Sequence, residues 1–169
     1  LSEPDDRAAA ADRLAMLVAC SFPRAELTRL SYVLEKHDAA FAAQVALFTE
    51  NRTRCQAVSA HLAGAPVNPA LGQSDRAAAT RMQKLNKNPH GVLREVSEHA
   101  AIAFRRMYRQ RNLVLHWGKT DAVALRASLR TAAPLVGAGL DRIIHAYYVD
   151  GLNPLELVAR ARLALSTVG

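Results

Sequence analysis

Arg111, Asn112 and His116 stand close together near the end of one predicted helix, and their side chains are of types that carry out chemistry. An imidazole titrates near neutral pH, so His116 can accept and donate protons. A guanidinium is planar and stays charged, so Arg111 can bind two oxygens of an anion at once. Whether these side chains act together in one site depends on the helices that position them.

Basic residues are concentrated in the same part of the chain. The protein has 22 Lys and Arg against 15 Asp and Glu, a net charge of +7. Between Arg81 and Lys119, nine cations stand against only Glu95 and Glu98, so this segment accounts for the whole excess. The nine are Arg81, Lys84, Lys87, Arg94, Arg105, Arg106, Arg109, Arg111 and Lys119. Such a cluster attracts phosphate backbones, and the alternative is a solvated face whose arginines pair with acids on neighbouring helices.

The composition predicts an all-α protein. It includes 33 Ala and 22 Leu, with few aromatic residues, eight Gly and seven Pro. These are helix-forming residues, and a β-sheet protein would need more Val, Ile and Thr. No repeat or linker is visible, so we expect a single domain over residues 1–169, built as a bundle of about six to seven helices.

Caps and breakers divide this bundle into helices. We expect helices from Ser2 to about Cys20, Ser21 to about Lys36, Asp38 to about Ala63, Ser74 to about Asn86, Val92 to about Trp117, Thr120 to about Tyr148, and from Asn153 onward. The second and third fit one long bent helix equally well. Residues 64–73 form the clearest loop. Pro134, Gly137 and Gly139 are expected to kink or divide the sixth helix.

Several classes of protein are excluded by the remaining composition. The isolated Cys20 and Cys55 cannot form a disulfide framework and lack the paired spacing of a zinc site, which favours a reduced, cytoplasmic setting. The longest uncharged run contains two prolines, so no membrane span is expected, and the acidic N-terminus does not fit a signal peptide. Glu95 with His99 is the nearest approach to a ligand pair, so we expect no metal and no cofactor.

The chain begins without methionine, and we therefore expect a processed protein or a domain excised from a longer one.

Arg111 breaks the pattern of the helix predicted from Val92 to Trp117. On a helical wheel one side is apolar, comprising Val92, Val96, Ala100, Ala103, Phe104, Met107 and Val114. The opposite side is polar, comprising Arg94, Glu98, Arg105, Arg109, Asn112 and His116. Arg111 falls beside Leu93 and Phe104 at the edge of the apolar arc. An arginine there extends to solvent, pairs with a buried acid or occupies a polar cleft.

Ile102 and Leu113 are the reverse case, because they are apolar residues close to the polar side of the same helix. A helix that faces a second subunit has this pattern. We therefore predict that Ile102 and Leu113 form a homodimer interface.

Residues 108–118 resemble the signature of the HEPN superfamily, all-α domains named for higher eukaryotes, prokaryotes and nucleotide binding. The family motif is an arginine, often followed by a polar residue, with a histidine after an interval of four to six residues. Arg111, Asn112 and His116 match it, and Gly118 follows shortly after. The match covers eleven residues, and elsewhere only the all-α character agrees.

The resemblance implies a metal-independent endoribonuclease that acts as a homodimer, with the two motifs forming one cleft. Arg111, Asn112 and His116 are then the catalytic residues, and the products end in 2′,3′-cyclic phosphate. We expect Arg105, Arg109, Lys119 and Trp117 to bind RNA. The resemblance also implies an effector in antiviral defence or a toxin, with a fused or separate sensor or antitoxin domain as a further partner.

Two alternatives stay open. About two arginine–histidine pairs of this spacing are expected by chance, and Arg109/His116, Arg94/His99 and Arg54/His61 also fit the motif window. The chain also fits a catalytically inactive module for RNA binding or dimerisation, in which an acid such as Asp141 or Glu156 lies against Arg111.

Gly118 stands where toxins paired with nucleotidyltransferase antitoxins often have a tyrosine, which argues against that mode of control.

Overall fold

The computed structural model of the chain describes residues 4–117 and 123–167. Within these ranges the chain forms seven helices and no strand, which confirms the predicted all-α class and the number of helices. The helices are α1 (Pro4–Leu34), α2 (Ala39–Val45), α3 (Asn51–Gly64), α4 (Gln73–Lys87), α5 (Pro89–Trp117), α6 (Val123–Asp150) and α7 (Pro154–Thr167).

The chain divides into two compact units, each with a core of its own. The first comprises Leu1–Ser21 and Leu93–Val168, and the second comprises Phe22–Val92. Helix α1 contributes to both units, because its first part belongs to the first and its second part to the second. That the whole chain is a single domain stays a prediction.

The core of the first unit is formed by the first part of α1 together with α5, α6 and α7. One cluster joins α1, α5 and α6 through Ala15, Val18, Ala100, Ala101 and Phe104, with Leu135 and Val136 packed against it. A second cluster joins α1, α6 and α7 through Leu17, Ala146, Leu152, Leu157, Val158 and Ala161. Most members are small, so the helices approach one another closely. Burial of their apolar surface stabilises the unit.

The core of the second unit is formed by the second part of α1 with α2, α3 and α4. Its buried apolar residues include Leu27, Leu30, Leu34, Phe41, Val45, Val58, Leu62, Leu71, Met82 and Leu85. Leu30, Val45, Val58 and Met82 have no exposed surface. Burying a side chain of this size contributes about 1.5–3 kcal/mol to the free energy of unfolding, so burial of these residues stabilises the packing of the helices in this unit.

The predicted boundary between two helices near Ser21 and Pro23 is wrong, because α1 continues from Pro4 to Leu34. Proline cannot donate its backbone hydrogen bond, yet Pro23 lies inside the helix. The Ser21 hydroxyl donates to the carbonyl of Val18 at 2.9 Å, a contact within the helix rather than a cap for a new one. Burial on both sides of the proline offsets the lost hydrogen bond.

The helix predicted from Asp38 to Ala63 is also wrong, since residues 46–50 separate α2 from α3. The start of α2 agrees with the sequence, because the Asp38 carboxylate accepts from the backbone N–H of Phe41 at 2.9 Å. No glycine or proline marks the break. The Asn51 amide at the start of α3 donates to the Thr28 hydroxyl on α1 at 3.0 Å, a tertiary contact that local sequence does not encode.

The other boundaries lie close to their predicted places. Helix α4 matches within one residue at each end, and the loop before it lies where the prolines and glycines predict it. Pro134, Gly137 and Gly139 do not divide α6, which runs unbroken to Asp150. Helix α7 begins with a capping box, because the Asn153 side chain accepts from the N–H of Glu156 while the Glu156 carboxylate accepts from the N–H of Asn153, both at 3.0 Å. The predicted caps Thr120 and Asp121 lie outside the described residues.

Candidate functional site

Helix α5 positions most of the predicted site residues, and its first turn explains where it begins. The Asn88 side chain accepts from the N–H of Gly91 at 2.9 Å, and Pro89 occupies the first helical position. The sequence expectation placed the start at Val92, so the helix begins three residues earlier. Asn88 acts as a cap between α4 and α5, and the two helices are separated by this single residue.

The Arg111 side chain is exposed, which resolves its unusual place on the helical wheel. Phe104 is the last fully buried residue among the described side chains of α5. Beyond it on the apolar arc, Met107 is only partly buried against the core, and Leu115 near the end of the helix is 60% exposed. An arginine on that arc therefore reaches solvent without crossing the core.

Within the described part of the chain, Arg111 contacts two side chains of its own helix. Its Nη1 donates to the Oδ1 of Asn112 at 3.3 Å, and its guanidinium carbon lies 6.0 Å from the centre of the Tyr108 ring. Within the described residues no carboxylate pairs with it. Neither acid named for the structural alternative does so, because Asp141 is exposed and Glu156 accepts from the backbone of Asn153. Apart from the bond to Asn112, the guanidinium N–H groups have no acceptor among the described residues, and such donors can bind an anion.

His116 and Trp117 are the last residues of α5, and their side chains lie outside the described part of the structure. Lys119 lies outside it entirely. The backbone is helical through both position 111 and position 116. The catalytic role predicted for His116 and the RNA contacts predicted for Trp117 and Lys119 stay predictions.

The basic segment contains cations of two kinds. Three of its arginines pair with acids: Arg105 Nη2 lies 2.6 Å from Asp12 Oδ1, Arg81 Nη2 lies 2.8 Å from Glu26 Oε2, and Arg94 Nε lies 3.6 Å from Glu98 Oε1. Arg106, Arg109 and Arg111 are exposed and have no such partner within the described ranges. Arg109 therefore fits its predicted role in RNA binding, whereas Arg105 is partly neutralised.

Ion pairs and ring contacts also distinguish between the arginine–histidine pairs that fit the motif window. Arg54 pairs with Glu35 and its guanidinium carbon lies 5.1 Å from the centre of the Tyr32 ring. Its candidate partner His61 stacks against Phe41, with ring centres 4.8 Å apart. These contacts stabilise the second unit, so Arg54 and His61 have a structural explanation within it.

A small cleft next to the unpaired arginines was not foreseen from the sequence. It has a volume of about 130 Å³ and lies between α5 and α6, lined by Ala103, Arg106, Met107, Ala127, Ser128 and Ala132. Arg106 and the Ser128 hydroxyl are its polar side chains. Ser128 lies 22 residues from Arg106 in the chain, and no sequence pattern links the two.

Ile102 and Leu113, the predicted dimer interface, are each 50% exposed. Ile102 lies in an open groove between α1 and α5, where it is flanked by the apolar Met16 and Ala101 and by polar residues that include Asp12 and Arg105. Half-exposed aliphatic side chains on a polar face fit the expectation, while the dimer itself stays a prediction.

Comparison of the chain with protein families, with curated proteins and with solved structures finds no match. The resemblance to HEPN domains therefore rests on residues 108–118 and on the all-α fold. Within the described residues no helix is long and apolar enough to cross a membrane, and no three His, Cys, Asp or Glu side chains are grouped as metal ligands. The expectation that no metal is needed stays a prediction.

Proposed function

We propose that the chain is a metal-independent endoribonuclease that acts as a homodimer in a reducing cytoplasmic setting. The observation that carries this proposal is the exposed Arg111, which contacts Asn112 and has no carboxylate partner within the described residues. An unneutralised guanidinium in solvent is suited to bind a phosphodiester. Arg106 and Arg109 are further exposed charges on other faces of the same helix, and both cysteines are free.

The reaction is a transfer of the phosphoryl group within the RNA strand. The ribose 2′-oxygen attacks the adjacent phosphorus, a new P–O bond forms, and the bond from phosphorus to the 5′-oxygen breaks. His116 of one copy accepts the proton of the 2′-hydroxyl, and His116 of the other copy donates a proton to the leaving 5′-oxygen. Arg111 stabilises the negative charge that grows on the non-bridging oxygens of the phosphorane, and Asn112 orients the phosphate or His116. The products end in 2′,3′-cyclic phosphate and 5′-hydroxyl.

The geometry of α5 explains why two copies are needed. Five residues along a regular helix separate position 116 from position 111 by about 140° of rotation and about 7.5 Å of rise. Since α5 is helical through Trp117, two such positions on one chain do not face the same point. In a dimer, the arginine of one copy and the histidine of the other are able to meet across one cleft.

The test is cleavage of RNA by the wild type and by Arg111→Ala and His116→Ala, in EDTA and with the termini of the products identified. Each variant is expected to lose at least about a hundredfold in rate, because acid–base and electrostatic groups each contribute about that much or more. Arg94→Ala is the matched control, since Arg94 lies exposed on the same helix but pairs with Glu98. Full activity in folded Arg111→Ala and His116→Ala, or dependence on a metal, would overturn the proposal.

A second candidate function is RNA binding without cleavage. The continuous helix through positions 111 and 116 favours it, since one chain by itself holds the two residues apart. In that case the wild type binds RNA and leaves it intact, and Arg111→Ala weakens binding while His116→Ala has little effect. The cleavage assay separates the two functions directly.

A further inference from the structure

An apolar stripe on α6 lies exposed on the first unit. It consists of Ala133, Gly137, Leu140, Ile144 and Tyr147, called the α6 stripe below. These residues recur at intervals of four, three, four and three, the spacing of a helix that packs along another helix. Leu140 and Ile144 are about half exposed, Tyr147 is 59% exposed, and a Cβ added at Gly137 would contact nothing within 4 Å.

The α6 stripe is separate from the core of its unit. The residues of α6 that are buried within the unit, Ala132, Gly139 and Ala146, recur every seven residues on another side of the helix. Gly139 approaches α1 so closely that a Cβ would lie 2.5 Å from the Leu14 Cδ1 atom. The described contacts of α6 within the unit are therefore made on that side, and among the described residues the stripe stays uncovered.

The side chains of two α6 stripes are complementary in size when the two helices run antiparallel. Its first two members are the smallest, Ala133 and Gly137, and its last two are the bulky Ile144 and Tyr147. If two copies of α6 pair antiparallel with Leu140 at the centre, Tyr147 of each copy lies opposite Ala133 of the other. Ile144 then lies within one residue of Gly137. Large side chains therefore meet small ones toward both ends of the contact, and the two Leu140 side chains meet at its centre.

The apolar area is sufficient for a weak dimer. An aromatic side chain carries about 150–250 Å², so Tyr147 and the neighbouring Tyr148, 59% and 80% exposed, together offer on the order of 300 Å². Leu140 and Ile144 raise this to roughly 400 Å² per copy. A stable interface buries about 800 Å² per partner, polar rim included. The stripe together with Tyr148 supplies about half of that as an apolar centre, which fits a dimer that dissociates on dilution.

We infer that the α6 stripe docks a second copy of this chain, with the two α6 helices antiparallel about Leu140. The inference goes beyond the proposed ribonuclease activity and does not depend on it. Val123, where α6 begins, lies 17 residues from Leu140, or about 26 Å along the helix. In a dimer paired through the stripe, the first residues of the two α6 helices lie about 50 Å apart. It is therefore an interface additional to the one that a shared α5 cleft requires.

The first experiment measures the mass of the full chain by sedimentation over a hundredfold range of concentration. The mass of the wild type is expected to fall on dilution, and Ile144→Asp is expected to halve it at the highest concentration. Leu47→Asp is the matched control, because Leu47 is an exposed leucine of the second unit, and it should sediment like the wild type. Leu140→Asp serves as the second variant if Ile144→Asp does not fold. A mass that neither substitution changes overturns the inference.

The second experiment determines the direction of pairing by oxidative crosslinking. Ala133→Cys mixed with Tyr147→Cys is expected to give a disulfide-linked heterodimer, whereas Ala133→Cys alone should crosslink no more than the wild type with its native cysteines. Crosslinking of Ala133→Cys to itself and not to Tyr147→Cys would overturn the antiparallel arrangement. RNA cleavage is assayed separately on Ile144→Asp, so loss of the α6 contact and failure of the ribonuclease proposal remain distinguishable.

Discussion

Arg105 on α5 donates from Nη2 to the Asp12 carboxylate on α1 across 2.6 Å, 93 residues away in the chain. Both side chains are about half exposed, so solvent screens the pair and it contributes at most about 1 kcal/mol to stability. Its larger effect is electrostatic, because Asp12 offsets one of the charges that the sequence assigns to RNA binding. The unpaired Arg109 lies one helical turn further along α5.

Removing the Asp12 charge is expected to strengthen RNA binding. Asp12→Asn leaves Arg105 free to contact phosphate, so the affinity should rise and the salt dependence should steepen by up to about 0.7 in log–log slope for single-stranded RNA. Arg109→Ala should weaken binding and reduce the slope by a similar amount. The measurement is fluorescence anisotropy with a 2′-O-methyl RNA, which the reaction cannot cleave, at several salt concentrations.

Arg105→Ala is the internal comparison for that experiment. In the wild type it should weaken binding less than Arg109→Ala does, because its charge is already partly neutralised. Equal losses from the two substitutions, together with no gain from Asp12→Asn, would contradict this account of the basic surface.

Gly137 and Gly139 are expected to respond in opposite ways to alanine. Alanine is favoured over glycine in a helix by about 1 kcal/mol, and a Cβ at position 137 meets open space, so Gly137→Ala should raise the free energy of unfolding by about 0.5–1 kcal/mol. At position 139 the Cβ would lie 2.5 Å from Leu14 Cδ1 and 3.2 Å from Leu14 Cγ. Overpacking of this kind costs about 1–3 kcal/mol, which exceeds the gain in helix propensity.

Denaturant unfolding of dilute protein measures both glycine variants without interference from pairing of α6. The double variant Gly139→Ala with Leu14→Ala tests the cause, since a shortened Leu14 side chain makes room for the new methyl group. The double variant should then lose less free energy of unfolding than the sum of the losses in the two single variants. Strict additivity would show that Leu14 is not the obstacle.

Cys20 is expected to make stability fall at alkaline pH. Burial raises the pKa of the Cys20 thiol, and the nearby Arg142 acts in the opposite direction with a smaller effect. The folded chain therefore keeps the thiol proton at a pH where the unfolded chain has begun to lose it. As the pH rises past about 8.5, the ordinary pKa of a thiol, ionisation favours the unfolded state and the free energy of unfolding falls. Below that pH the thiol makes no pH-dependent contribution.

Urea unfolding between about pH 7 and pH 10 under reducing conditions measures this effect. Cys20→Ala should show a shallower decline with pH than the wild type. Identical slopes in the two proteins would exclude Cys20 as the source of the decline.

The fold class and most helix boundaries follow from local sequence. Asp38 and Asn153 start helices where their capping side chains predict, because a cap bonds to backbone N–H groups only a few residues away. The helix boundary predicted at Pro23 is wrong, and Pro134 does not divide α6, since each proline remains inside a helix. Proline removes a backbone hydrogen bond of its own helix, which is a local loss of stability. The apolar burial that offsets this loss comes from residues distant in the chain.

The amino-acid sequence alone was sufficient to place the basic segment, the Arg111–Asn112 pair and the apolar side of α5. Tertiary structure decided which of these charges are available. Glu26 neutralises Arg81 from 55 residues away and Asp12 neutralises Arg105 from 93 residues away, whereas α5 carries Arg111 beyond its last fully buried residue, Phe104, and into solvent. Hydrophobic periodicity describes one helix at a time, but ion pairing and exposure depend on where separate helices come together.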